Sequence, residues 1–397
     1  MRRDFDIAVV GAGAAGLAAA LAFAREGFAT ALVGRPEPRD DGRTIALLDG
    51  SVRFLQALGV WPALAADAAP LAVMRIIDDT GSLFRPPPVS FSAGEIGLDA
   101  FGWNVENGRL VSRLAAAAAG EPRLTILPDA AIAFEGGGDT ACLTLGDSET
   151  LRAALAVAAD GRDSRIRASA DIRTRAWSYP QSALTTILGH ERDHRDASTE
   201  FHTRSGPFTL VPLPGRRSSL VWVVERESAA PLAGLGDDEL AREIERRAQS
   251  LLGKMTIDGP RGVVPLSGLS VERYWSTRLA LAGEAAHVFP PIGAQGLNLG
   301  LRDVAALRDA IVDARAAGED VGGADALRRY QRGRDLDVRL RSAAVDGLNR
   351  TLLADFLPVD LLRGIGLLAL AGIGPLRRAA MREGVQPSLG APRLMRA

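Results

Sequence analysis

The stretch Phe5-Asp6-Ile7-Ala8-Val9-Val10-Gly11-Ala12-Gly13-Ala14-Ala15-Gly16 decides how this chain folds. Residues 5–10 form a short run rich in apolar and β-branched side chains, the composition of a buried strand. An alanine-rich stretch to about Glu26 reads as helix, and residues 29–33 read as a second strand. This is a βαβ opening with its glycines on the strand-to-helix turn. Gly11 permits the tight turn, Gly13 lets backbone approach a pyrophosphate, and Gly16 lets helix and strand pack closely. Dinucleotide phosphates then meet the free N–H groups and positive end of the helix. A bare Gly-x-Gly-x-x-Gly is weak; one at residue 11, between a strand and a helix, is specific.

Working outward, the chain has 397 residues with 47% hydrophobic and 24% charged side chains. That is a globular balance, which excludes disorder and fibrous classes. At about 150 residues per domain the length suggests two or three domains, or one large α/β unit with insertions. Forty-seven basic against 48 acidic residues give a net charge of −1, which argues against a nucleic-acid partner. Cys142 stands alone, so internal disulfides, redox pairs and thiolate zinc sites are excluded and a reducing compartment is expected. His190, His194, His202 and His287 lack metal-ligand spacing, and no metal is expected. Asp4 and Phe5 lead straight into the first strand, so no targeting peptide is expected and the cytoplasm is the expected location. No apolar run reaches the roughly 18 residues of a membrane span; the nearest, 365–376, lies between Arg363 and Arg377.

Further along, 51–58 and 108–119 read as helices, while 73–78, 124–127 and 151–159 read as strands, the last ending in Asp160-Gly161. Residues 174–224 alternate, with Trp177, Tyr179, Phe201, Phe208 and Trp222 among polar neighbours, as an antiparallel sheet with one exposed face does. An amphipathic helix is expected over 237–252, a buried strand over 279–282, and a helix from Gly296 after a Gly/Pro-rich turn. The remainder to Arg382 reads as helical apart from loops at Gly322-Gly323 and Leu357-Pro358. The fold class is therefore α/β: a nucleotide-binding domain interrupted by a sheet-rich second domain, with a helical C-terminal region. At the end of the second strand, where an acid would grip ribose hydroxyls, stand Gly34 and Arg35, with Glu37 the first acid; NAD, NADP and FAD all stay open on this ground. His287 is expected to hold its turn through a backbone hydrogen bond, in preference to a proton-relay role. Trp177, Phe208, Trp222, Tyr274 and Trp275 are expected in a sheet core, in preference to an aromatic-substrate pocket.

The segment running from Leu279 through Gly283-Glu284, His287 and Pro290-Pro291-Ile292-Gly293-Ala294-Gln295-Gly296-Leu297-Asn298 to Asp303 resembles the FAD/ribityl segment of class A flavoprotein monooxygenases. More narrowly, it resembles the signature of the ubiquinone-biosynthesis hydroxylase family. Ala158-Ala159-Asp160-Gly161 resembles the Asp-Gly motif of that class, associated with both FAD and the transient NADH or NADPH. The stretch from Gly42-Arg43 to Leu47, with Ser51 and Leu55, resembles the one whose arginine contacts the flavin side. Asp346-Gly347-Leu348-Asn349-Arg350 and Met381-Arg382-Glu383-Gly384 resemble the family's C-terminal end.

The resemblance implies an FAD-binding, glutathione-reductase-type domain over 1–72, 101–170 and 271–320. It implies a substrate domain over 73–100 and 171–270, and a helical region over 321–397. FAD would be held by Gly11, Gly13, Ala14, Ala15, Gly16, Arg43, Arg109, Asp160, Glu284, Gly293, Ala294, Gln295, Gly296, Leu297 and Asn298, with Pro291, Gly293 and Gln295 nearest the flavin. NADH or NADPH would reduce FAD, O2 would add at flavin C4a, and the hydroperoxide would hydroxylate a prenylated phenol or quinone precursor. The implied setting is the cytoplasm, at the inner face of the cytoplasmic membrane or in a ubiquinone-synthesis complex; residues 361–376, apolar with arginines at the edge, read equally as an interfacial helix or as a core helix packed on the FAD domain. The chain departs from the family pattern at Gly34, at Glu284 (an aspartate in the family), and at Gly108, where the family arginine is displaced to Arg109. An FAD-linked reductase of prenyl or quinone substrates is the rival reading, and a nucleotide-binding scaffold without chemistry a further one.

Overall fold

In the computed structural model the described residues are 3–81, 87–146, 148–290, 295–353, 372–386 and 390–396, with side chains undescribed for 3–4 and 341–353. Strand β1 (Arg3–Val10), helix α1 (Ala14–Arg25) and strand β2 (Thr30–Val33) form the βαβ opening. The first sheet carries Leu279–Leu281, Thr150–Ala158, β1, β2 and Leu124–Leu127 in this order, parallel to one another, with Trp275–Ser276 antiparallel at the Leu279–Leu281 edge. Ile7 to Val9 are fully buried in it, as central parallel strands with both faces covered must be. A hairpin of Ala131–Gly137 and Thr140–Leu145, which the sequence does not announce, pairs antiparallel with the first half of Thr150–Ala158. Alanines along α1 let it lie close on the sheet between the helices Asn107–Ala119 and Gln295–Ala316.

The second sheet is ordered His287–Val288, Gly262–Val271, Thr174–His190, Arg217–Glu225, Gly206–Leu213, Ala197–Thr203, Val73–Asp78, Val89–Ser92. Every pair is antiparallel except Ala197–Thr203 with Val73–Asp78. On one face Leu184, Leu188, Phe208, Leu220 and Trp222 meet Leu240 and Ile244 of the helix Asp237–Arg247. Phe208 and Trp222 are core residues there, packed edge to face at 5.4 Å. That helix stops short of the expected 252, because Gln249 and Ser250 adopt positive φ angles of 53° and 50°.

A small third sheet, Thr44–Leu48, Gly102–Glu106 and Ala68–Pro70, joins the two large ones. Thr44 Oγ1 donates to Ser219 Oγ at 2.8 Å, and Asn104 Nδ2 donates to the Pro212 carbonyl at 2.8 Å. The C-terminal region is stitched onto both halves. Helix Ala324–Leu353 lies on Gln295–Ala316, and Tyr330 Oη donates to the Leu281 carbonyl at 2.7 Å. Helix Gly374–Val385 lays Met381 and Val385 against Val89, Phe91 and Phe101 of the second half. Arg377, which on the interfacial reading edges a lipid-facing stretch, instead bonds Glu95 at 2.6 Å and stacks over the Phe91 ring. Most of 361–376, the 357–358 loop, and the side chains of Asp346 to Arg350 lie outside the described residues. Among the described residues no helix is long and apolar enough to cross a membrane.

Candidate cofactor site

Three turns meet at the N-terminus of α1. Gly11 sits at φ +106°, and a Cβ there would come within 2.3 Å of the Ala159 carbonyl and 2.8 Å of Asp160 Cα. A Cβ on Gly16 would lie 1.8 Å from the Gly11 carbonyl oxygen. Both positions are closed to any side chain. Gly13 differs, because a Cβ there would meet nothing within 4 Å among the described residues. It is the N-cap of α1, with no side chain capping the helix and no acid in the first turn. Among the described residues no side chain caps the first N–H groups of α1 and no acid offsets its dipole, which is the environment an anion takes.

The late motif reaches the same place. Gly283, at φ +64°, packs against Ala15 of the first helical turn and against Gly300 of helix Gln295–Ala316. Glu284 follows it and is exposed. On the other side, Asp160 Oδ2 accepts from the Ile166 amide at 3.4 Å, while its Oδ1 is buried with no partner among the described residues. Burial pushes the Asp160 carboxyl up, against the hydrogen bonds it accepts from Ser164 and nearby amides. Arg167, which nothing in an arginine-rich sequence singles out, clamps the two loops: it donates to the Ala285 carbonyl and the Arg162 carbonyl, both at 2.9 Å.

Behind these turns lies a buried ionic network. Asp303 is fully buried, and its Oδ2 accepts from the Gly283 amide at 3.0 Å and pairs with His287 Nε2 at 2.6 Å. Its Oδ1 accepts from Arg334 Nε at 2.7 Å. Arg334, also fully buried, donates to Asp337 Oδ2 at 2.6 Å. Burial pushes the Asp303 carboxyl up, but His287 and Arg334 outweigh it and hold it below the usual carboxylate range. His287 thus takes a carboxylate partner where a backbone one was expected. One carboxylate ties both ends of the 283–287 turn, because a buried amide and imidazole need an acceptor that backbone geometry there does not offer.

Asn298 faces the frame: its Oδ1 accepts from the Leu48 amide at 2.9 Å and Ser51 Oγ at 2.7 Å, and its Nδ2 donates to the Ala46 carbonyl at 2.7 Å. Gln295 and Leu297 are half-buried and Gly296 is exposed at the start of the same helix. Pro291, Gly293 and Ala294 lie outside the described residues. Arg43 and Arg109 share a cleft of about 300 Å³ with Asp41 and Glu106, and Arg43 pairs with Asp41 at 2.6 Å. Gly34, where an acid was sought, stands at φ +143° with its Cβ direction 3.0 Å from the Ala12 amide nitrogen, so a side chain would press on the glycine turn. Glu37 pairs with Arg39 at 2.9 Å in solvent.

Among the described residues the donor set fits a flavin dinucleotide: an uncapped helix end, an orphaned buried carboxylate oxygen, and an exposed glutamate beside the first helical turn. A sequence profile described as an FAD binding domain matches residues 4–336. The chain is 35% identical to the ubiquinone hydroxylase UbiL of Rhodospirillum rubrum, over 98% of this chain and 92% of that protein. It is 33% identical to the 3-demethoxyubiquinol 3-hydroxylase of Escherichia coli, over 95% and 97%. In fold it is similar to the p-nitrophenol 4-monooxygenase PnpA of Pseudomonas putida, with a TM-score of 0.77 at 15% identity over 96% of this chain and 98% of that one. With glycine turn, Asp-Gly loop and late turn gathered at one helix end, and relatives matched over nearly the whole chain, this protein belongs to the ubiquinone-biosynthesis hydroxylase family of FAD-dependent monooxygenases.

Proposed function

We propose that this protein is an FAD-dependent aromatic-ring hydroxylase that uses NADH or NADPH and O2 on a prenylated phenol or quinone precursor of ubiquinone. The observation that carries the reading is the meeting of the Gly11–Gly16 turn, the Ala159-Asp160 loop and the Gly283 turn at the N-terminus of α1. FAD, when bound, supplies the two-electron store and the centre that activates oxygen. The chain's part is to hold and orient. Backbone amides of Gly13 to Gly16 and the α1 dipole receive the pyrophosphate. The Glu284 carboxylate accepts from ribityl hydroxyls, and Arg43 and Arg109 meet the dinucleotide from their shared cleft. The amides at Gln295 to Asn298 open the late helix, and its positive end would favour a reduced, anionic flavin held there. Residues 1–72, 101–170 and 271–320 then form the FAD-binding domain, 73–100 and 171–270 the substrate domain, and 321–397 the helical region. The names of the relatives support the substrate class. The test measures product as well as consumption: NAD(P)H oxidation with a prenylated phenol should yield a ring carrying one oxygen from 18O2, whereas reduction of the prenyl chain or quinone without oxygen incorporation would establish the rival reductase.

Asp160→Ala should slow flavin reduction by NAD(P)H more than it weakens FAD retention. A retardation of about tenfold or more is expected, equivalent to about 1.4 kcal/mol of barrier. Stopped-flow reduction of the variant at the wild-type rate would remove Asp160 from this role.

A prenylated ring resides in a bilayer, so the enzyme is inferred to meet a membrane surface or a partner complex there. Ile373 and Leu376 are 51% and 47% exposed beside the C-terminal helix. Wild-type protein should co-sediment with anionic vesicles, and an Ile373→Glu, Leu376→Glu variant should remain in the supernatant. Equal partitioning of the two would rule out this surface.

A further inference from the structure

One face of the second sheet is closed by helix Asp237–Arg247; the other carries a band of half-buried residues. Register places Thr185 opposite Val221, Val221 opposite Thr209, Thr209 opposite Glu200, and Glu200 beside Ile76. Partners in register share a face, and all five are half-buried. Two residues along the strands, about 7 Å away, come Ile187, Ser219 and Val211. Ser219 is the hydroxyl that receives Thr44, whose strand is fixed in turn to Asn298 at the start of the late helix. The band therefore looks toward the cofactor side of the molecule. Met74, 41% exposed, lies at its outer edge two residues from Ile76.

Glu200 is the charged group of this otherwise apolar and hydroxyl-bearing row. Its Oε1 pairs with His202 Nε2 at 2.8 Å, and its Oε2 accepts from Thr209 Oγ1 at 3.3 Å. His202 is 4% exposed, and its Nδ1 is buried with no partner among the described residues. The Glu200 side chain keeps 23% of its surface accessible. Burial pushes its carboxyl up, but the hydrogen bond and charge of His202, with Thr209, outweigh this and hold it below the usual range. An oriented carboxylate with about four lone-pair sites thus faces the band with two of them engaged.

We propose that Glu200 accepts a hydrogen bond from a ring hydroxyl of the aromatic substrate, and that His202 is its positioning residue. This rests on the hydroxylase reading above. Oxygen transfer to a ring carbon is electrophilic, so an anionic acceptor drawing on the O–H raises electron density at the ortho and para carbons. Val221, Val211 and Met74 offer apolar contact for the ring edge and an alkyl substituent, and Ile76 joins this row to the cluster under helix Gly374–Val385. A reductase acting on a prenyl chain has no use for such an acceptor.

The test uses FAD-loaded protein, a phenol carrying one five-carbon prenyl group, and the methyl ether of that phenol. Binding is followed by perturbation of the flavin spectrum. Wild type should prefer the phenol about tenfold or more, the range of a charged hydrogen bond. Glu200→Gln should keep wild-type FAD content and thermal midpoint while the preference falls to about threefold or less. His202→Asn should lower the same ratio and reduce kcat with the phenol, which a purely structural role would not do selectively. Thr209→Val, which spares the Glu200–His202 pair, should lower the ratio by a smaller factor and decides the matter if Glu200→Gln does not fold. Equal binding of phenol and ether by wild type, or an undiminished preference in the variants, overturns the proposal. Wild type that hydroxylates the phenol while the variants match it overturns only the role of Glu200; wild type without FAD or oxygen insertion overturns the hydroxylase reading itself.

Discussion

Asp303→Ala is expected to destabilise the fold by about 3–5 kcal/mol, the range for removing one partner of a buried ion pair. The substitution leaves the Arg334 guanidinium fully buried with Asp337 as its remaining carboxylate, and it orphans the Gly283 amide and His287 Nε2 together. Domains hold only about 5–15 kcal/mol in total, so most of the variant should be recovered as aggregate. Asp303→Asn separates charge from shape: it keeps an acceptor for Gly283 but loses the charge opposite Arg334. Its loss should be intermediate, and its FAD affinity should fall because the 283–287 turn is no longer held. Chemical denaturation of the two variants beside wild type checks this. A thermal midpoint for Asp303→Ala within about 2 °C of wild type, roughly 1 kcal/mol at this size, would mean that the network is not what fixes the late turn.

Gly13→Asp is expected to separate folding from cofactor binding. Gly13 has φ −75° and ψ −179°, extended backbone open to any residue, and a Cβ there meets nothing within 4 Å among the described residues. As the N-cap of α1 it is a position at which aspartate is favoured, so the variant should fold at least as well as wild type. The new carboxylate would take the first-turn N–H groups for itself and stand against the pyrophosphate. Two unit charges at ~4 Å in a medium of effective dielectric ~20 repel by about 4 kcal/mol, close to a thousandfold in affinity. The expected product is folded, colourless protein with a wild-type circular dichroism spectrum. Gly16→Val should do the opposite kind of damage, since its Cβ would lie 1.8 Å from the Gly11 carbonyl oxygen and the turn itself must yield. A Gly13→Asp protein that remains yellow after desalting would show that the dinucleotide is held elsewhere.

The sequence by itself determined the α/β class, the βαβ opening, the three turns that meet at α1, and the family. Each depends on local pattern: a buried parallel strand is a continuous apolar run, a close turn requires glycine, and alternation marks a sheet with two unlike faces. It did not show the Ala131–Gly137/Thr140–Leu145 hairpin, whose strand end Gly136-Gly137 and turn residue Gly138 weaken any strand signal. Nor did it reveal what Asp303, Arg334, Arg167 and Glu200 do, because each meets its partners only after distant segments come together. Asp303 is an acid on a helix until Arg334, 31 residues on, is folded against it. Arg167 is one arginine among many until the Ala285 carbonyl, 118 residues away, lies within reach. Glu200 and Thr209 become neighbours only through strand register. Burial removes the water that would otherwise satisfy these charged groups, so their roles are set by which partner the tertiary structure supplies.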